Sequence, residues 1–112
     1  MSQIKLLALD LDGTLLGRDS RVPRENARAV HLAQQAGVQV VLCTGRNMAE
    51  ARSFNAQLDA SADWAIIANG AATLRFAEGQ QVTFDGRDAA DCAAVRQVGA
   101  AFGVDLCWST TA

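Results

Sequence analysis

The stretch Asp10-Leu11-Asp12-Gly13-Thr14-Leu15-Leu16 decides how this chain is interpreted. It directly follows a short apolar run at residues 4–9. A short apolar run that ends in polar residues and glycine is typical of a buried strand. Two carboxylates, Asp10 and Asp12, therefore stand at the carboxyl end of that strand, and Gly13 allows the backbone to turn sharply after them.

The position of these two acids favours a ligand site. In an open α/β sheet, ligands bind at the carboxyl ends of the strands. Like charges that are held close together repel each other, and a bound cation relieves that repulsion. Because Mg²⁺ prefers carboxylate oxygens, we expect Asp10 and Asp12 to take part in a magnesium site.

A second strand is predicted at residues 38–43, which are rich in β-branched side chains. Between the two strands, residues 22–36 have apolar side chains at helical spacing. Pro23 near the beginning and Gly37 after the end are typical helix boundaries. This strand, helix and strand predict a βαβ unit with parallel strands.

Thr44 follows the second strand and would lie beside Asp10 and Asp12, since parallel strands end at the same edge of a sheet. Asn47 can cap a second helix, which is predicted from residue 48 to about residue 58. The N-terminus of that helix and Thr44 would then surround one anion site.

A third strand is predicted at residues 64–68, followed by Asn69-Gly70-Ala71. Asn69 can offer its amide to the same edge of the sheet, and Gly70 permits close approach of the backbone. Asn-Gly is also a common turn pair, so the sequence leaves a purely structural role open.

The pattern changes from residue 73 onward. Residues 73–76 and 81–84 alternate in a way that predicts a β-hairpin. Residues 88–102 predict a helix, and residues 104–108 predict a final strand.

Composition limits the classes of function. A chain of 112 residues is one domain or a piece of one, and its net charge of −2 predicts no general affinity for nucleic acid or for a membrane surface. Cys43, Cys92 and Cys107 are widely spaced and form no zinc pattern, which favours reduced thiols in a cytoplasmic protein. No signal peptide is predicted, because acids interrupt the early apolar run. His31 lies inside the first predicted helix, away from any strand end, and is expected to be structural or exposed rather than catalytic.

The motif Asp10-Leu11-Asp12-Gly13-Thr14 closely resembles Asp-x-Asp-Gly-Thr, the first signature motif of the haloacid dehalogenase-like hydrolase superfamily. Thr44-Gly45-Arg46 resembles the second motif, and Asn69-Gly70-Ala71 is typical of Cof-type hydrolases with a type IIB cap. The resemblance implies an α/β fold with a Rossmann-like parallel sheet core, followed by the start of an α/β cap domain. We therefore expect residues 1–72 to form the N-terminal part of the core and residues 73–112 to begin the cap.

The resemblance also implies a Mg²⁺-dependent phosphatase that acts on a small phosphorylated metabolite through an aspartyl phosphate. Asp10 would be the nucleophile and Asp12 the general acid and base, and both would take part in binding Mg²⁺. For Arg46 two roles stay open, which are binding of the substrate phosphate and pairing with an acid on the surface. The residues expected around the phosphoryl group are Thr44, Gly45, Arg46, Asn69 and Gly70.

A response-regulator receiver also carries acids at strand ends, but it takes its phosphoaspartate from the third strand. Here that strand ends in Asn69-Gly70, which disfavours a receiver.

Two later motifs of the superfamily are not found in this sequence. One is a lysine that steadies the phosphoryl charge, and the other is an acidic Gly-Asp motif that completes the Mg²⁺ site. Lys5, the only lysine, lies at the start of the first strand. The alternative hypothesis is therefore a truncated fragment that folds or associates without turnover. Without a later strand beside it, the run at residues 4–9 would form an apolar edge, which predicts self-association through the first strand.

Overall fold

The computed structural model describes residues 3–77, 80–84, 86 and 88–105. Within them, five strands form one sheet in the order in which they follow each other along the chain. The strands are β1 (Leu6–Asp10), β2 (Gln39–Cys43), β3 (Trp64–Ile67), β4 (Ala72–Arg75) and β5 (Gln80–Phe84). The helices are α1 (Arg24–Gln35), α2 (Met48–Asn55) and α3 (Ala89–Ala101).

The first three strands are parallel, as the sequence predicts. β1 pairs with β2 so that Asp10 lies opposite Cys43, and β2 pairs with β3 so that Cys43 lies opposite Ile66. The carboxyl ends of all three strands therefore meet at one edge of the sheet, and the predicted α/β fold class is confirmed.

The predicted hairpin is confirmed as well, and its two strands extend the same sheet. β4 pairs with β3 in the antiparallel direction, and β5 pairs with β4 in the same way. Residues 78 and 79, which lie between the two strands in sequence, are outside the described residues. The domain boundary between residues 72 and 73 stays a prediction.

The first helix begins and ends as the sequence predicts. α1 starts directly after Pro23, which has the extended backbone of a helix cap. Beyond its end, Gly37 adopts a φ of +87° and its N–H donates to the Gln34 carbonyl. This left-handed closing residue is the common way for a helix to end, and glycine adopts it without strain.

The second helix ends three residues earlier than predicted. α2 starts after Asn47, whose side chain caps it, and ends at Asn55. The next backbone bonds are tighter, from Gln57 N to Phe54 O and from Leu58 N to Asn55 O. Such bonds span three residues instead of four, so the last turn is narrower than an α-helix.

The third helix, α3, follows the capping residue Asp88 and closely matches its predicted bounds of 88–102. Of the predicted final strand, Val104 and Asp105 are not in a strand, and residues 106–108 lie outside the described residues. In the part of the chain that the structure describes, no helix is long and apolar enough to cross a membrane.

The hydrophobic core joins the sheet to α1, α2 and the loop after β1. Leu11 and Leu15 of the first motif belong to it, with 0% and 3% of their surface exposed. These leucines fix the loop to the core, so packing sets the positions of Asp10, directly before Leu11, and of Asp12, directly after it. The remaining core residues are Leu16, Ala27, Val30, Val40, Leu42, Ala51, Phe54, Leu58, Ala62, Ala65, Ile67, Ala72 and Leu74.

Candidate active site

The loop after β1 is a tight turn that buries its leucines and exposes its acids. The Leu16 N–H donates to the Leu11 carbonyl at 2.9 Å and closes the turn. Gly13 adopts a φ of +77° inside it, a conformation that strains residues with a Cβ atom. Asp10 and Asp12 are both exposed. The turn therefore holds both carboxylates at the carboxyl edge of the sheet.

One carboxylate oxygen of Asp10 has a fixed partner. Asp10 Oδ1 accepts a hydrogen bond of 2.8 Å from the Leu11 N–H. The other oxygen, Oδ2, makes no hydrogen bond within the described part of the chain. The side chain is thus oriented by its own backbone and keeps one oxygen for a ligand or a substrate.

The carboxyl ends of β1, β2 and β3 surround an open crevice of ≈ 340 Å³. Two of its lining residues, Cys43 and Ile66, were missed by sequence reasoning. They form a row with Asp10 across the three strands, so the strand register is the signal that would have found them. The lining residues are Asp10, Cys43, Thr44, Gly45, Ile66, Asn69 and Gly70.

Thr44 is the buried polar residue of this crevice, with 8% of its surface exposed. Its Oγ1 accepts a hydrogen bond of 3.0 Å from the Arg46 N–H. Its backbone N–H donates to the Ile66 carbonyl at 2.9 Å, which ties it to β3. A hydroxyl that accepts one bond still has its own proton to donate. The hydroxyl of Thr44 can therefore still donate one hydrogen bond.

The loop after β3 is strained. Ala68, Asn69 and Gly70 have φ values of +50°, +56° and +97°. This left-handed region suits glycine and is tolerated by asparagine, but it costs energy for alanine. Two backbone bonds hold the loop in place, from Ala68 N to Arg46 O at 2.9 Å and from Asn69 N to Thr44 O at 3.2 Å. The loops after β2 and β3 therefore form one unit.

Gly45 is needed because the Asn69 side chain lies against it. A Cβ atom at Gly45 would be only 2.7 Å from Asn69 Oδ1, closer than real Cβ contacts. The glycine thus makes room for the amide that the sequence assigns to the site.

Asp12 and Arg46 are not among the residues that line the crevice, and they pair with each other. Arg46 Nε donates to Asp12 Oδ2 at 2.8 Å, and Nη2 donates to Oδ1 at 2.7 Å. Arg46 Nη1 pairs with Glu50, and the guanidinium carbon lies 5.0 Å from the centre of the Phe54 ring. Of the two roles that the sequence left open, this structure shows the pairing with an acid, and that acid is itself a site candidate.

The charges of the site follow from these contacts. Hydrogen bonds from Arg46 hold the pKa of the Asp12 carboxyl below its ordinary value. The carboxylates of Asp12 and Glu50 raise the pKa of the Arg46 guanidinium in return. Burial, together with the charge of Asp10, raises the pKa of the Cys43 thiol. At neutral pH, Asp12 is therefore ionised and Cys43 is protonated.

The donors that the structure offers to a metal are oxygens. No group of three or more His, Cys, Asp or Glu side chains able to hold a metal occurs among the described residues. Asp10 has a free carboxylate oxygen, whereas both carboxylate oxygens of Asp12 bind Arg46. The main-chain carbonyl of Asp12 is a further oxygen close by in sequence. Mg²⁺ commonly takes one or two carboxylates together with waters and substrate phosphates, so this donor set fits Mg²⁺ in kind.

This fold and this crevice define an α/β protein whose polar ligand site lies at the carboxyl ends of parallel strands. The family profile of the haloacid dehalogenase-like hydrolases matches residues 7–112, and the chain belongs to this family. The resemblance on which the sequence interpretation rests is therefore confirmed.

Several known proteins are similar to this chain. Phosphatase YwpJ of Bacillus subtilis (strain 168) is 44% identical over 68 residues, which cover 61% of this chain and 24% of that phosphatase. The 5-amino-6-(5-phospho-D-ribitylamino)uracil phosphatase YcsE of the same organism is 42% identical over 67 residues, which cover 60% of this chain and 26% of that phosphatase. A solved haloacid dehalogenase-like hydrolase from B. subtilis has a TM-score of 0.80 and 33% identity, covering 89% of this chain and 34% of its own. The matched part of the chain thus covers about a quarter of the length of these two curated relatives.

Proposed function

We propose that this chain carries the nucleophile and the phosphate-binding loops of a Mg²⁺-dependent phosphatase. The observation that carries the proposal is the convergence of Asp10, Thr44 and Asn69 on one crevice. Its volume of ≈ 340 Å³ is near the lower end of the range for ligand pockets, about 300–1,000 Å³. This size favours a small phosphorylated metabolite, such as a sugar phosphate or a nucleotide-like cofactor. The names of the two curated relatives, both phosphatases, support the same reaction class.

Asp10 is the nucleophile of the proposed reaction. Its Oδ1 is held by the Leu11 N–H, so the unbonded Oδ2 is the atom that attacks phosphorus. The bond between phosphorus and the ester oxygen breaks, the leaving group departs as an anion or takes a proton from a protonated Asp12, and an aspartyl phosphate remains. Water then attacks that phosphorus, releases inorganic phosphate and restores the carboxylate.

Thr44 and Asn69 hold the phosphoryl oxygens during both steps. The free hydroxyl proton of Thr44 and the amide of Asn69 face developing negative charge, where preorganised donors lower the barrier most. Asp10 Oδ1, which has a second lone pair besides the one that accepts the Leu11 N–H, and the main-chain carbonyl of Asp12 would hold Mg²⁺. When bound, the ion would supply positive charge against the same phosphoryl oxygens.

Asp12 is the candidate for proton transfer. Its environment favours the role of general base over that of general acid. An ionised Asp12 can accept the proton of the water that hydrolyses the aspartyl phosphate. The acid role in the first half requires a proton on the same carboxyl, which the hydrogen bonds from Arg46 disfavour. Esters with good leaving groups, which need no acid, should therefore react most readily.

The test of this proposal is an assay with p-nitrophenyl phosphate and Mg²⁺, together with trapping of the phosphoenzyme. Asp10→Asn should abolish turnover, because it removes the nucleophile. Asp12→Asn should turn over poorly but still form phosphoenzyme, since attack by Asp10 needs no proton from Asp12. Hydroxylamine should cleave the trapped label from the peptide that contains Asp10.

Equal turnover by wild type and Asp10→Asn would disprove the proposal. Binding of a phosphate analogue such as vanadate, without any phosphoenzyme, would instead support the alternative of a fragment that folds or associates without turnover.

A further inference from the structure

Glu50 belongs to none of the motifs that mark the site, yet it contacts the residue that holds Asp12. It lies in the first turn of α2, where the Asn47 side chain accepts its backbone N–H at 2.9 Å. Its carboxylate pairs with Nη1 of Arg46, while Nε and Nη2 of Arg46 pair with Asp12. One guanidinium therefore joins a fixed helix terminus to the carboxylate that the proposed reaction uses.

We propose that Glu50 is a positioning residue that orients Asp12 through Arg46, an inference that rests on the proposed function. A guanidinium is planar and presents its donors in a fixed fork. With Nη1 held by Glu50 and one face over the Phe54 ring, the Nε and Nη2 edge keeps a single orientation, which faces Asp12. Partly exposed ion pairs add little to stability, so the effect of Glu50 is on orientation.

Glu50→Gln should slow the hydrolysis of the aspartyl phosphate without slowing its formation. Glu50→Gln leaves Asp10 and Thr44 untouched, so the aspartyl phosphate forms from p-nitrophenyl phosphate at the wild-type rate. Its hydrolysis needs Asp12 in position and becomes slower. Because kcat/KM reports the steps up to departure of the leaving group, kcat and KM should fall together while their ratio stays constant.

The experiment compares Glu50→Gln with wild type and with Glu25→Gln, the same substitution in the first turn of α1. We expect kcat to fall about tenfold in Glu50→Gln, a part of the ~10²- to 10⁴-fold that a positioned general base contributes. Glu25→Gln should behave like wild type. A raised KM would show that Arg46 binds the substrate phosphate, and a lowered kcat with constant KM would show a loss of folded enzyme. Either result would overturn the proposal.

A second measurement does not depend on turnover. In NMR spectra, the Arg46 Nε–H should exchange with water slowly in wild type and in Glu25→Gln, and faster in Glu50→Gln. An exchange rate that does not change would refute the proposal, whatever the assay shows. If the exchange rates are as expected but no turnover depends on Asp10, the proposed phosphatase activity would be refuted. The contact by which Glu50 positions Arg46 would still be established.

Discussion

Asp10 and Cys43 lie opposite each other in the parallel register of β1 and β2, at the last residue of each strand. Both side chains line the same crevice. The carboxylate of Asp10 adds to the effect of burial and raises the pKa of the Cys43 thiol. Since the thiolate is the reactive form of cysteine, Cys43 should be a slow nucleophile at neutral pH.

This relationship predicts the effect of Asp10→Asn on thiol chemistry. Removal of the negative charge should lower the pKa of Cys43 and raise its rate of alkylation by iodoacetamide several-fold near neutral pH. Mass spectrometry of the peptides gives the rate at each cysteine, and Cys92, on α3, is the internal reference. An unchanged ratio of the Cys43 and Cys92 rates would show that Asp10 does not act on this thiol.

Much of the fold could be predicted because its signals are local. The apolar runs before Asp10 and Thr44 end in polar residues and glycine, and strands that end in this way share an edge in a parallel sheet. The end of α2 was predicted less well. The last turn after Asn55 is narrowed by backbone hydrogen bonds, which any residue type can form and which the sequence therefore does not reveal.

The sequence predicts part of the crevice lining, namely Asp10, Thr44, Gly45, Asn69 and Gly70, but it does not predict the contacts of the site. Asp12 and Arg46 are far apart in sequence, and only the folded chain shows that they pair. The left-handed conformation of Ala68 could not be foreseen either, because alanine has no preference for it. Cys43 was counted as a strand residue, since a pattern shows where a strand ends but not which side chains face a ligand.

Thr44→Val tests the hydroxyl of the crevice. It removes the proposed donor to the phosphoryl oxygens, and it removes the acceptor of the Arg46 N–H. We expect phosphatase activity to fall by an amount that corresponds to about 2–4 kcal/mol of transition-state stabilisation. Steady-state kinetics and binding of vanadate measure the loss. Thr44→Ser, which keeps the hydroxyl, is the matched control, and equal rates for the Val and Ser variants would assign Thr44 a structural role only.

Gly45→Ala tests the contact between the two loops. The new Cβ would lie 2.7 Å from Asn69 Oδ1, so the amide must move and phosphate binding should weaken. In the double variant with Asn69→Ala, the clash is gone. The double variant should therefore bind phosphate at least as tightly as Asn69→Ala alone. In a double-mutant cycle, this result appears as strong coupling between the two positions. Additive losses would show that Gly45 matters for a different reason.

The pair of Asp12 and Arg46 predicts a pH dependence. The hydrogen bonds lower the pKa of Asp12 from its ordinary value of 3.8. The stability that the pair contributes is therefore fully present above that value, and it is lost as the pH falls through the lowered pKa. A titration of the Asp12 carboxyl by NMR should show a midpoint below 3.8 in wild type and near it in Arg46→Ala. High salt should raise the wild-type midpoint, because it screens exposed charges. Identical midpoints in the two proteins would contradict the pairing.

The first strand predicts how the 112-residue chain behaves in solution. β1 is at one edge of the described sheet, with β2 on its other side. Ile4 and Leu6 have 74% and 53% of their surface exposed. Sheet edges usually carry charges or breaks that prevent pairing with another chain, and Lys5 is the only charged residue among residues 3–9. We therefore propose that copies of this chain associate through β1.

Leu6→Lys should lower this association, since a lysine on an edge strand opposes pairing with a second edge. Light scattering over a series of concentrations measures the mean mass of the particles. Val98→Lys is the matched control, because Val98 is 59% exposed on α3, where Val95 is also exposed. We expect Leu6→Lys to shift the chain toward monomer and Val98→Lys to leave the mass unchanged. The opposite pattern would assign the association to α3, and a wild-type chain that stays monomeric at all concentrations would contradict association through β1.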